Sequence, residues 1–156
     1  MAVAAAAVLA ACVPATPTQP VGAPAAGTWQ DEMLVSLNAE RAAVGVAPLA
    51  SCDVLHRVAQ DHSADQAAHN RMSHTGSDGS SPWERMLRAG YDYRSAAENV
   101  AAGQSGVAQV MSAWMGSSGH RSNILDPRLE HVGVGMAHSA GGTPYWTQVF
   151  GSGGSC

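Results

Sequence analysis

His131-Val132-Gly133-Val134-Gly135-Met136 alternates valine or methionine with glycine at a period of two, and Tyr145-Trp146-Thr147-Gln148-Val149-Phe150 is a second β-prone run. Successive side chains of a strand point to opposite faces, so each run reads as a strand. Ser139 to Thr143, with two glycines, reads as the turn between them. Upstream the period changes. Val107, Val110, Met111 and Trp114 stand at i, i+3, i+4 and i+7 of a helix opened by Ser105. Helices first and strands last describe an α+β chain with an antiparallel sheet.

The earlier segments extend this reading. Thr28 followed by Asp31 is a capping-box start, with aspartate in place of the usual glutamate or glutamine. Met33, Leu34 and Leu37 form an apolar stripe that ends near Arg41, and Gly45 stops the helix. Pro48-Leu49-Ala50 is a connector. Ser51 is expected to cap a second helix, with Leu55, Val58, Ala59, His62 and Gln66 on one face. That face is only weakly apolar, so the helix must pack closely through small residues. Ser81-Pro82 opens a short helix with Met86 and Leu87 inward, and Gly90 terminates it. Tyr91 to Val100 is expected to supply a third strand.

Composition removes several function classes. The chain has 156 residues, a net charge of −4, 13% charged residues and no lysine among its 8 basic residues. A P-loop lysine and a Schiff-base lysine are therefore excluded. A nucleic-acid partner is not expected, since there is no basic patch and aromatics make up only 5%.

The N-terminus reads as an address. Residues 1–11 are small, apolar and uncharged, too short to span a bilayer, which takes about 20 apolar residues. They resemble the hydrophobic part of a secretory signal. Leu9-Ala10-Ala11-Cys12 matches a bacterial lipobox, in which the cysteine is lipidated. The first charged residue is Asp31, so the expected start lies within a longer signal. The alternative is an alanine-rich leader with an incidental cysteine. Residues 12–27, with Pro14, Pro17, Pro20 and Pro24, read as a tether, and residues 28–156 as the domain. Of 3 cysteines, lipidation of Cys12 leaves Cys52 and Cys156. Their pairing would close a loop of about a hundred residues, worth roughly 4–5 kcal/mol; two free thiols are the alternative. The protein is expected to be exported and membrane-anchored, in the periplasm or at the cell surface, and monomeric.

Three segments carry candidate chemistry. His74 lies in Met72-Ser73-His74-Thr75-Gly76, Glu98 in Ala97-Glu98-Asn99-Val100-Ala101, and His120 in Ser117-Ser118-Gly119-His120-Arg121. A carboxylate inside a small apolar run is buried at a cost unless a histidine or a metal answers it. Two imidazoles and a carboxylate can bind zinc or act as an acid–base pair. By spacing alone, satisfied structural hydrogen bonds are favoured over a ligand set. His62 and His69 read as core or boundary hydrogen bonders, and His56, His131 and His138 as surface or strand-edge residues. Arg121 is expected to brace Glu98 or Asp126, Asn99 to order its loop, and Glu84 to be a solvated residue of a helix first turn.

The order of motifs resembles the CAP superfamily of cysteine-rich secretory, antigen 5 and pathogenesis-related class 1 proteins, in a compact bacterial form. The matching segments are Leu37 to Arg41, Pro48-Leu49, Met72 to His74 with Asp78-Gly79, Ala97 to Ala101, Trp114 to Ser117 with Gly119 to Leu125, Val132 to Gly135, and Tyr145 to Phe150. The resemblance covers about residues 30–151. It implies a three-layer α-β-α sandwich with a central antiparallel sheet and a cleft whose two histidines and two glutamates can hold a divalent metal such as zinc. His74, Glu98 and His120 match three of that set. Ser117 stands where the second glutamate is expected, which implies weaker metal binding.

Two functions remain open on the sequence. One is a non-catalytic envelope module that binds a small molecule, lipid or cell-wall ligand. The other is a hydrolase, a peptidase or cell-wall enzyme, either metal-assisted or using Ser117 or Ser118 with His120 and Glu98. Gly116-Ser117-Ser118-Gly119 is one residue short of a Gly-x-Ser-x-Gly elbow.

Overall fold

The computed structural model describes Met1 and residues 27–156. The rest of the leader, Cys12 and all of the tether but Gly27 lie outside the described residues. The elements run α1 (Trp29–Ala43), β1 (Ala50–Ser51), α2 (Asp53–Ala68), α3 (Pro82–Arg88), β2 (Ser95–Ala102), α4 (Val107–Met115), α5 (Ser118–Ile124), β3 (His131–His138) and β4 (Pro144–Ser152). The sheet order is β1-β3-β4-β2. β3–β4 and β4–β2 are antiparallel, and the two-residue β1 joins β3 in parallel. Among the described residues no helix is long and apolar enough to cross a membrane.

Two cores flank the sheet. On one face Met33 and Leu37 of α1, Val110 and Trp114 of α4, and Ile124 of α5 pack on Val132, Val134 and Phe150. On the other face Leu55, Val58 and Ala59 of α2 and Met86 of α3 pack with Tyr91 and Val149. These are the three layers, and the mixed α+β class is as expected. The alternation in β3 explains them. Val132 and Val134 enter the first core, while Gly133 and Gly135 turn to α2. A Cβ at either glycine would strike the α2 backbone at Leu55–His56 or Ala59–Gln60. Helix and strand backbones meet there, which is why α2 needs no large apolar stripe.

The caps at Thr28 and Ser81 form as reciprocal capping boxes with Asp31 and Glu84. Glu84 is thus held at the start of α3. Other local expectations are corrected. Cys52, not Ser51, is the N-cap of α2; Ser51 pairs in β1, and its Oγ meets His56 Nε2 at 2.9 Å. Leu87 is half exposed while Met86 is fully buried, because only one of two neighbouring helix positions can face the core. Ser105 precedes α4 and binds the Gln109 side chain, and Gly106 is the cap. Tyr91 lies outside β2, buried, with its hydroxyl 2.7 Å from His131 Nδ1.

Cys52 and Cys156 form the disulfide, with Cα atoms 5.0 Å apart across a sequence separation of 104. Arg41 is fully buried. Its guanidinium donates to the carbonyls of Ala47, Ile124, Asp126 and Leu129 at 2.7–3.0 Å. It thereby ties α1 to the end of α5 and the segment leading into β3.

Candidate functional site

The site is built around β2, an edge strand of the sheet. Strand alternation sends Glu98 to the α2–α3 side and Asn99 to the α5 side. Glu98 pairs with Val149 and Asn99 with Gln148 in the β4 register. Glu98 is 5% exposed. A buried carboxylate must be paired and hydrogen-bonded, and this one is. His74 Nδ1 lies 2.8 Å from Oε1, and Arg85 Nη2 donates to Oε2 at 2.7 Å. His62 Nε2 stands 4.0 Å from Oε1 and donates to Ser73 O at 2.7 Å.

Each partner is positioned by a separate piece of the chain. The loop bearing His74 is fastened to α2, since Ser73 N donates to Gln66 Oε1 and Gln66 Nε2 to Thr147 Oγ1. Arg85 reaches back from α3 and also donates to the carbonyls of Ser80 and His74. On the other side, Asn99 Nδ2 donates to His120 O and to Gln148 Oε1. Asn123 Nδ2 donates to Glu98 O and Asn99 Oδ1. This amide network fixes α5, and with it His120, against β2.

The histidines differ electrostatically. The hydrogen bond to Glu98 holds the His74 pKa above its ordinary value, although burial and Arg85 oppose it. Burial pushes His62 down, against the attraction of Glu98. Burial also pushes His120 down, and repulsion from His74 adds to it. The His74 side chain is 54% exposed, so its remaining nitrogen, Nε2, is the one open to a ligand.

Of the candidates read from sequence, the fold joins His74 to Glu98 directly and holds the His120 backbone against Asn99, the residue after Glu98. Ser117 is the N-cap of α5 without a side-chain cap bond, and Ser118 is exposed. Among the described residues neither hydroxyl is hydrogen-bonded to His120. Arg121 is exposed and does not brace Glu98; Arg85 does, and Arg128 braces Asp126 at 2.6 Å. Asn99 bonds across to α5 from within a strand rather than ordering a loop. Sequence reasoning missed Arg85. The signal was its place on a capped short helix three positions before Arg88, a phase that puts both guanidinium groups on one flank. Among the described residues no three His, Cys, Asp or Glu side chains gather as a metal-holding group.

The comparisons agree with this architecture. The uncharacterized protein YkwD of Bacillus subtilis is 38% identical over 129 residues, 82% of this chain and 49% of that protein. The chain thus spans about half the length of that relative. An extracellular protein containing an SCP domain, from Bacillus anthracis, superposes with a TM-score of 0.73 at 27% identity, covering 79% of this chain and 40% of that one. An outer surface protein of Borrelia burgdorferi shares the fold with a TM-score of 0.73 at 18% identity, over 79% of this chain and 91% of its own. The model of the cysteine-rich secretory protein family, CAP, matches residues 34–150, and the chain belongs to that family.

Proposed function

We propose that the chain is an exported cell-envelope module that binds a ligand at the cleft of His74, Glu98 and His120 and does not catalyse. The observation that carries this is the engagement of Glu98. His74 and Arg85 each hydrogen-bond one of its oxygens and its side chain is only 1% exposed, so a substrate has no direct access to it as a base. A serine nucleophile needs its base within hydrogen-bond reach, and Ser117 and Ser118 lack one. The site presents instead an imidazole tethered through Nδ1 to Glu98 on a side chain that is half exposed.

The donor chemistry fits a weakly held divalent ion such as zinc. His74 Nε2 and His120 would be its protein ligands, and Glu98 holds His74 Nδ1 as carboxylates commonly hold metal-binding imidazoles. Such an ion, when bound, supplies Lewis acidity. Two imidazoles fall short of the three protein ligands of a catalytic zinc centre. Arg85 offsets the charge of Glu98, which weakens cation binding further.

Export is supported by the disulfide, since such bonds persist in oxidising compartments. The Bacillus anthracis relative is described as extracellular. Cys12 carries the lipid in this reading, and residues 12–27 hold a monomeric domain, residues 28–156, off the membrane. The ligand is a small molecule, lipid or cell-wall component. A turnover screen of the full chain on casein, peptidoglycan and simple esters tests the reading. No hydrolysis is expected. Turnover that disappears in Ser117→Ala or His120→Ala would establish the hydrolase instead.

A further inference from the structure

A groove of about 650 Å³ runs along the outer flank of α5, from the end of α4 to the segment leading into β3. Ser118, Arg121, Ser122 and Leu125 line it, at i, i+3, i+4 and i+7 of one helical stripe. The opposite flank of α5 puts Ile124 in the core and Asn123 on β2. His74, Glu98 and His120 do not line the groove, so it is separate from the cleft.

Arg121 is the unused charge of this groove. The two carboxylates expected to pair with it are taken, Glu98 by Arg85 and Asp126 by Arg128. Among the described residues its guanidinium has no ion pair or hydrogen bond, and the hydroxyls of Ser118 and Ser122 have no partner either. All three side chains are exposed, so a ligand in the groove can reach them.

The chemistry of the wall limits that ligand. Arg128 also lines the groove, but its Nε and Nη2 are spent on Asp126, and the pair adds no net charge. One net positive charge is left, that of Arg121. It repels a metal ion or an ammonium group and attracts an anion. Its planar fork matches the two oxygens of a carboxylate, and the two serine hydroxyls can donate beside it. A single net charge answers a monoanion; a phosphate dianion would be only half compensated. The rest of the wall is apolar, with Met115, Leu125 and Pro127. Met115 and Leu125 rest on the first core, which gives that side a firm base. Three apolar side chains suit the side chain of one residue and are too few to cover a long acyl chain. The volume falls within the roughly 300–1,000 Å³ of small-molecule sites.

We infer that the groove binds the C-terminal carboxylate of a peptide whose last residue is apolar. Arg121 takes the carboxylate with the help of Ser118 and Ser122, and the last side chain lies on Met115, Leu125 and Pro127. This site does not rest on the ion-binding reading of the cleft. The test is an NMR titration of the full chain, isotope-labelled at methionine methyl groups and histidine, with N-acetyl-leucine. Parallel titrations use N-acetyl-leucinamide, which keeps the side chain and lacks the charge, and inorganic phosphate. The Met115 methyl signal is expected to move with N-acetyl-leucine and saturate with a dissociation constant on the order of millimolar, while the His74 ring signals stay in place. The amide and phosphate are expected to bind about tenfold more weakly. Arg121→Gln, an exposed substitution, is expected to weaken binding of the acid about tenfold with Tm unchanged. Equal affinity for acid and amide would reduce the groove to an apolar contact. Phosphate bound as tightly as the acid would make it a general anion site. An unmoved Met115 signal would leave Arg121 a solvated surface cation, and movement of His74 alone would put the acid in the cleft. Each of these results overturns the proposal, as does equal affinity in the wild type and Arg121→Gln.

Discussion

Glu98 is the residue on which the site turns. Its burial was legible as a lone carboxylate among alanines and valine, but its partners come from other elements that only the fold assembles. His74 was legible from its motif. Arg85 was not, because Arg121 lies nearer the histidine motif in sequence and helix phase sends it outward. Breaking a buried ion pair leaves an uncompensated charge, so Arg85→Ala is expected to cost about 3 kcal/mol by chemical denaturation. A cost near that of an exposed pair would mean that water reaches Glu98. The histidines yield a prediction on pH. His74 has its pKa raised on folding, so its contribution to stability is present at acid pH and is lost as pH rises through the folded value. His62 and His120 are lowered, so theirs is present above the ordinary 6.5 and is lost as pH falls below it. Histidine ring titration by NMR should find His74 titrating after His62 and His120 as pH rises. His74 titrating below His62 would contradict the hydrogen bond to Glu98.

At the scale of elements, β3 and α2 show what a pattern can and cannot say. The Val-Gly-Val-Gly alternation predicted a strand, and the small side chains of α2 predicted close packing. That the two fit each other is visible only in three dimensions. Gly135→Ala would force Cβ into the α2 backbone, and a loss of about 3 kcal/mol is expected. An unchanged Tm would show that the two layers can separate without cost. β1 covers only the first two residues of β3. Beyond it, Val134 N donates to His56 Nδ1, and the Gln60 amide exchanges two hydrogen bonds with Met136 at 3.0 and 3.1 Å. Side chains of a helix thus finish an edge that a strand leaves open, a protection against pairing with other chains. Gln60→Ala is expected to speed hydrogen exchange at Met136 while leaving Val149 protected. Equal rates in both proteins would mean that the amide does not hold the edge. α5 escaped sequence reading because its seven residues, Ser118–Ile124, place only Ile124 in the core. It owes its position to Asn99, Asn123 and Arg41, which no local pattern reveals.

For the molecule as a whole, two ties hold α1 and the C-terminal tail to the layers. Arg41 joins α1 to the segment after α5, and the disulfide joins the start of α2 to the last residue. The pairing was legible by counting cysteines once Cys12 was set aside. Replacing Cys52 and Cys156 by serine removes a constraint across 104 residues, and a loss of roughly 4 kcal/mol is expected. A loss below about 1 kcal/mol would show that the glycine-rich tail is held by other contacts, such as Gly154 against Tyr91. The layers bring a loop, an edge strand and a short helix to one place, and the account of function rests on what they present there. Calorimetric titration of zinc into the full chain and into a His74→Ala/His120→Ala variant tests it most directly. At most one ion is expected, weakly held by the wild type and lost in the variant. Identical uptake by the two proteins would contradict it.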